Sequence, residues 1–267
     1  MKTFITAAAL AAFAAAETHW AVIMAGSNSY LNYRHQADSH HAVKIMLENG
    51  IPRENIIHLA YDDIAHHEYN YYPGQIFNKP TGKGEPGRNV YDSSEIDYRG
   101  SQVTAQNFYN VLLGNTSNGP ALKSDENSKV FVYFADHGAT GFICVPEGNG
   151  DYIYADDLGN VLQQMKDKKM FKELTFYVEA CYSGTMFPDL SADENIYAFT
   201  ATDTNHSSYA AYCGADAYVD GKYMGACLGD LFSINWLEDT ELHSVWSETL
   251  AQQYANVKKS TNLSPVQ

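Results

Sequence analysis

Residues 20–25, Trp-Ala-Val-Ile-Met-Ala, are apolar without a break and stop at Gly26-Ser27-Asn28. A short apolar run closed by turn formers reads as a central strand of a parallel sheet, covered on both faces. The stretch from Ala37 to Asn49 carries Ala42, Val43, Ile45, Met46 and Leu47, and Gly50 and Pro52 end it as a helix. Further strands are predicted at 55–59, 130–135, 174–180 and 196–200, of which Val130-Phe-Val-Tyr-Phe-Ala135 is the strongest. Thr104 is placed to cap a helix running through Leu113, and Asp156 one running to about Met170. Residues 225–259 read as two amphipathic helices separated near Asp239. Residues 66–100, rich in Tyr, Asn, Gly and Pro, have no sustained period and read as a long loop or insertion. Strands alternating with helices predict an α/β fold of three layers, a mostly parallel central sheet flanked by helices. No repeat, low-complexity tract or linker divides it.

Composition narrows the function classes. A chain of 267 residues can bury a substantial core, and 45% hydrophobic with 18% charged content is that of a soluble globular protein. The formal net charge of -15, with no cluster of Lys or Arg, argues against a nucleic-acid partner, because phosphate binding needs a basic face. Such acidity suits plain solubility or residence in an acidic compartment. Residues 1–16 combine Lys2, a short alanine-rich apolar core and the small residues Ala14 and Ala16, the pattern of a secretory signal peptide. The mature chain is then 17–267. No later segment is apolar for long enough to span a bilayer.

A secretory route changes how the four cysteines are read. Cys213 and Cys227 bracket a glycine-containing loop and can close a disulfide in an oxidising compartment. Cys144 reads as a small buried hydrophobe. Nothing has the paired spacing of a zinc site, so neither metal nor cofactor is expected. Asn115, Asn205 and Asn262 each open a sequon that permits glycosylation.

The chemistry sits at two strand ends. The 130–135 strand runs into Asp136-His137-Gly138, and the strand at 174–180 runs into Cys181-Tyr182-Ser183-Gly184. Open parallel sheets bind ligands at the carboxyl ends of their strands. Neighbouring strands would therefore join a thiol to a proton acceptor, the requirement of a cysteine nucleophile. Gly138 allows close backbone approach, and its N–H with that of Cys181 would form an oxyanion hole.

His-Gly after one hydrophobic strand and Ala-Cys after the next resembles the caspase-like clan of cysteine peptidases. Longer strings narrow the resemblance to the legumain family of asparaginyl endopeptidases. They are His19-Trp20-Ala-Val-Ile, Ala25-Gly-Ser-Asn28, Asn32-Tyr-Arg-His-Gln-Ala-Asp38, Asn49-Gly-Ile-Pro52 and Tyr61-Asp-Asp-Ile-Ala65. Further on come Tyr133-Phe-Ala-Asp-His-Gly138, Glu179-Ala-Cys181, Ser207-Ser-Tyr209 and Leu228-Gly-Asp230. They run in order along essentially the whole mature chain.

The resemblance implies Cys181 as nucleophile, His137 as proton donor and acceptor, and Asn32 as the residue that orients the histidine. It implies a pocket for asparagine formed by Arg34, His35, Glu179, Ser208 and Asp230. A primary amide wants a donor for its oxygen, which Arg34 supplies, and acceptors for its NH2, which Glu179 and Asp230 supply. Aspartate would enter only at low pH, once protonated. Asp136 matches a position linked in some members to peptide ligation, so a transpeptidase side activity is implied. Cys213 and Cys227 match a cysteine pair of plant members. Peptide and protein substrates, cystatin-type inhibitors and a lysosome-like or vacuolar compartment, or secretion, complete what the resemblance implies. Precursors of the family continue into a helical prodomain that caps the active site, whereas this sequence stops at Gln267. A GPI-anchor transamidase subunit shares the histidine and cysteine strand ends but is held by a membrane helix. The other alternative is a catalytically silent binding module.

Overall fold

The computed structural model describes residues 17–191, 194–243 and 247–267. The expected signal peptide lies outside them. Five parallel strands form the central sheet: β1 (Thr18–Ala25), β2 (Ile56–Leu59), β3 (Ser128–Ala135), β4 (Glu173–Glu179) and β5 (Ile196–Thr200). Their order is β2-β1-β3-β4-β5. Every predicted strand is present, and β1 from Trp20 onward is buried throughout, which is why it reads as unbroken apolarity rather than alternation.

Helices cover both faces. α1 (Tyr33–Glu48) packs against one face with the two C-terminal helices, α4 (Leu231–Leu242) and α5 (Leu250–Ser260). Trp236 of α4 is the largest fully buried side chain and meets Phe131, Tyr133 and Tyr177 of the sheet edge-on. α2 (Ala105–Leu112) and α3 (Ala155–Asp167) cover the other face through Phe108, Val111, Leu112, Leu158, Val161, Leu162 and Met165. The three-layer architecture is as predicted, and among the described residues no helix is long and apolar enough to cross a membrane.

Several boundaries differ from the sequence reading. α1 starts at Tyr33, four residues before Ala37, because buried polar residues in its first turns mask the apolar period. Thr104 caps α2 as expected, its side chain accepting from Asn107 N. Asp156 does not cap α3: that position is Tyr154, without a side-chain cap, and Asp156 lies in the first turn, where it suits the helix dipole. The C-terminal helical region begins at Leu231, not Gly225, since Gly229–Asp230 forms a short strand with Ala210–Ala211. Its break follows Leu242 rather than Asp239, and Thr249 with Gln252 forms a capping box that restarts the chain as α5.

The long loop is an ordered part of the core. Ile76, Phe77 and Val90 are fully buried with Tyr30, Tyr33, Met224 and Leu228 in a third apolar cluster. Asn78 fastens it, donating to Asp38 Oδ1 at 2.6 Å and to the Leu228 carbonyl at 2.8 Å. The structure contains the Cys213–Cys227 disulfide, with a sequence separation of 14, while Cys144 and Cys181 are free.

A loop of that length constrains the unfolded chain by about 3 kcal/mol. Replacing both Cys213 and Cys227 by Ser is expected to lower the melting temperature by roughly 6–12 °C. A calorimetric scan checks it, and an unchanged midpoint would exclude a stabilising role for the bond.

Candidate functional site

The site is assembled by strand register. β1 lies between β2 and β3, so the chain reverses its winding direction between β1 and β3, and the switch opens a crevice at their carboxyl ends. The parallel β3–β4 ladder ends with Ala135 opposite Glu179, and Asp136 N donates to the Glu179 carbonyl at 3.0 Å. His137 and Cys181 each lie two residues beyond that last pair, on adjacent chain ends. A Cβ on Gly138 would come within 2.9 Å of the Cys181 carbonyl oxygen and 3.0 Å of Ala180 Cβ, so only glycine permits this approach. Cys181 is followed by a tight turn, in which Tyr182 adopts a left-handed backbone (φ 55°) held by its N–H to the His206 carbonyl at 2.8 Å.

Asn32 reaches the site from the turn after β1. Its Nδ2 donates to the Asn28 carbonyl at 2.9 Å, which fixes the amide and turns Oδ1 toward His137 Nε2, 2.9 Å away. An acceptor at Nε2 holds the proton there and leaves Nδ1 as the basic nitrogen. The exposed His137 ring lies edge-on to His35 at 5.0 Å. Cys181 Sγ is 3.7 Å from Ser208 Oγ and 3.9 Å from the Ser208 carbonyl.

Beside the thiol is a densely charged wall. Arg34 Nε donates to Asp230 Oδ1 at 2.9 Å, and its Nη1 donates to the Leu31 carbonyl at 3.3 Å. These bonds leave further N–H groups of the five-donor fork uncommitted. Glu179 is almost fully buried, and its Oε2 accepts from both the backbone N–H and the hydroxyl of Ser233 at 3.0 Å. Glu179 Oε1 and Asp230 Oδ2 are buried without a hydrogen-bond partner, a costly state unless a ligand completes them. His35 stands behind the wall, 1% exposed, between Asp136 (3.1 Å) and Asp230 (3.5 Å), with Ser27 Oγ 2.7 Å from Nδ1. It can position these carboxyls but cannot touch a ligand from there.

Three residues escape sequence reasoning. Asp38, fully buried, accepts the Asp230 N–H through Oδ2 at 3.1 Å while Asn78 holds its other oxygen. Ser233 links Glu179 to Tyr133, whose hydroxyl donates to it at 2.7 Å. The i, i+4 spacing of Arg34 and Asp38 on α1 is the signal that could have revealed Asp38; Asn78 and Ser233 carry none.

Burial dominates the titration behaviour. It pushes Glu179 up to about 8, reinforced by Asp230, and Asp136 up to about 7 against the pull of His137 and Arg34. Asp38 is also held well above the usual carboxylate range by burial and by Asp230. Cys144, half-buried near Asp136, is pushed up to about 12, chiefly by burial.

A parallel three-layer sandwich with a histidine and a cysteine on adjacent central strand ends is the caspase-like α/β fold. Within it the chain belongs to the peptidase C13 family, whose model matches residues 19–267. It is 48% identical over 248 residues to a vacuolar-processing enzyme delta-isozyme of Arabidopsis thaliana, covering 91% of this chain and 52% of that one. It is 43% identical over 254 residues to the legumain of Mus musculus (93% and 55%) and 44% identical over 250 residues to a hemoglobinase of Schistosoma japonicum (93% and 56%). The chain spans about half the length of these curated relatives.

The buried groups set opposing pH dependences. Asp136, Asp38 and Glu179 keep protons in the fold that the unfolded chain releases near pH 4, so their contribution is complete in acid and is lost as pH rises through about 7 and 8. The buried neutral histidines His35, His40 and His58 act the other way, because the unfolded chain binds their protons below about pH 6.5. Above about pH 6.5 only the carboxyl effect remains. Melting temperature is expected to fall from about pH 6.5 to 8, and Glu179→Gln to flatten that slope; scans in a pH series check both.

Proposed function

We propose that this chain is a cysteine endopeptidase that cuts after asparagine, and after aspartate at low pH. The observation that carries the specificity is the pair of buried carboxyl oxygens without a full hydrogen bond, Glu179 Oε1 and Asp230 Oδ2 (the latter 3.5 Å from His35 Nε2), beside the uncommitted donors of Arg34. A side-chain amide offers an oxygen to the guanidinium and two N–H groups to the carboxyls, and an apolar side chain would leave all of them unmet.

In this reading His137 Nδ1 takes the proton of Cys181, and the thiolate adds to the carbonyl carbon of the residue held in the pocket. The developing oxyanion is met by the N–H groups of Cys181 and Gly138. Cys144 N donates to the His137 carbonyl at 3.0 Å, which makes Gly138 and Ile143 a pair that does not exchange hydrogen bonds and leaves the Gly138 N–H out of that ladder. His137 then gives its proton to the leaving amine, and the C–N bond breaks to leave a thioester. Water hydrolyses it with His137 as base, or an incoming amine takes it and forms a new peptide bond. Asn32 positions the imidazole.

Burial also accounts for aspartate at low pH. Below about pH 8 burial holds a proton on Glu179. The pocket is then less negative, and a protonated aspartate meets it as asparagine does. An acid compartment of the secretory route is the setting this chemistry suits, and the Arabidopsis thaliana relative is named for the vacuole.

Peptides differing only in Asn, Asp or Ala before the bond, incubated at about pH 5, test the proposal. Cleavage after Asn is expected, reduced at least about 10³-fold in Cys181→Ser. Turnover that survives this change, or no preference for Asn over Ala, would sink it. Asn32→Ala is expected to lower kcat by roughly 10² with little change in KM, as for a group acting on proton transfer rather than binding.

A further inference from the structure

At the opposite end of α4 from Asp230, about 18 Å along the helix, Asp239, His243 and Glu248 converge where α4 meets α5. The Asp239 side chain is nine-tenths buried, and its Oδ2 has no hydrogen-bond partner. His243 Nδ1 is 3.1 Å from Asp239 Oδ1 and 3.8 Å from Glu248 Oε1, and one ligand atom from each residue falls within 4.8 Å of the others. Asn256 Nδ2 donates to both carboxyls, at 3.2 Å to Asp239 and 3.1 Å to Glu248. A cavity of about 360 Å³, lined in part by His243, Glu248, Gln252 and Asn256, opens beside them.

A helix-terminal ion pair explains part of this arrangement. His243 Nδ1 also reaches the Asp239 carbonyl at 3.0 Å, where an imidazolium suits the negative end of the helix dipole. It does not explain why a second carboxyl is brought against the first. One imidazolium offers one charge and one hydrogen to that nitrogen's neighbours, and Asp239 Oδ2 stays unmet. A doubly charged ion would answer both.

Four-coordinate zinc has bonds of about 2.1 Å to nitrogen and oxygen, which separates its ligand atoms by about 3.4 Å. The separations of 3.1 and 3.8 Å bracket that figure. One imidazole and two carboxyls suit zinc better than calcium or magnesium, which prefer all-oxygen shells. We propose that Asp239, His243 and Glu248 form a divalent-cation site of the zinc type, tying the end of α4 to the start of α5. His243 binds through Nδ1, whose proton leaves to solvent as the metal arrives, and water completes the shell on the exposed side of the ring. Asn256 keeps the two carboxyls turned inward. The ligands come from two helix ends, so no paired Cys or His spacing marks the site in sequence.

Zinc chloride titrated into the chelator-treated full chain carrying Cys181→Ser with His137→Ala, which removes the active-site thiol and breaks up the His35, Asp136 and His137 group that could also take an ion, tests this. Calorimetry is expected to find one equivalent bound, with the melting temperature raised by about 5 °C once free zinc exceeds Kd by about a hundredfold. His243→Ala is expected to abolish both effects and Glu248→Gln to weaken binding at least about tenfold. Equal zinc uptake with and without His243 overturns the proposal, as does no uptake by the folded chain carrying Cys181→Ser with His137→Ala. His243 is half-exposed, so its replacement should not disturb folding; the metal-free melt verifies that, and Glu248→Gln carries the comparison if it fails.

Discussion

The site depends on one backbone register, the parallel pairing of β3 with β4 that sets Ala135 opposite Glu179. Both strands are buried on both faces, so a slip of one residue would drive Tyr133, Phe134, Tyr177 and Val178 into the wrong layers. The apolar core thereby fixes where two polar residues meet. Two residues beyond the last pair, where sheet constraints relax, the chain places His137 and Cys181. The absent side chain of Gly138 then lets the two ends lie against each other. Packing supplies the precision that chemistry at this position requires.

Charge organises the neighbouring wall. Arg34, His35 and Asp38 come from the first turns of α1, Glu179 from the end of β4, Asp230 and Ser233 from the entry to α4. Each is tied to another: Asp38 holds the Asp230 backbone, Asp230 holds Arg34, and Ser233 holds Glu179. Removing one partner of such a network strands the rest, typically at about 3–5 kcal/mol. The groups that would recognise a substrate amide are thus the same groups whose proton affinities the fold shifts. The proposed specificity and the stability then answer to the same pH range for one physical reason, burial of carboxyls that lack a full set of partners.

Much of this was legible in the chain itself. Short apolar-rich runs revealed all five strands, and those at 20–25 and 130–135 are unbroken because a doubly covered parallel strand has no solvent face. His137, Cys181 and Gly138 were readable as strand-end chemistry, and Asn32, Arg34, Glu179 and Asp230 through family strings. What escaped was polar and non-local. The start of α1 was hidden because His35, Gln36, Asp38 and Ser39 are buried polar residues, which look like surface to a periodicity argument. The loop at 66–100 looked unstructured because its core contacts, to Tyr33 and Leu228, lie far away in sequence. Asn78, anchoring Asp38 from 40 residues away, belongs to the same class.

Two free thiols lie near the strand ends, and the structure offers a physical reason to distinguish them. Cys144 follows the short strand paired to Gly138, and burial, the Asp136 carboxyl and Cys181 all disfavour its thiolate, pushing it up to about 12. It sits behind Gly26, whose Cβ would strike the Cys144 carbonyl oxygen at 2.6 Å, so its backbone is part of the packing that closes the rear of the site. Cys181 instead ends a central strand, turns out through the left-handed Tyr182 and meets the Ser208 hydroxyl. Two thiols on one crevice would compete for oxidation and for substrate. Keeping one of them protonated by burial leaves the chemistry to the other, and the carboxyl that helps to silence Cys144 immediately precedes the imidazole proposed to activate Cys181.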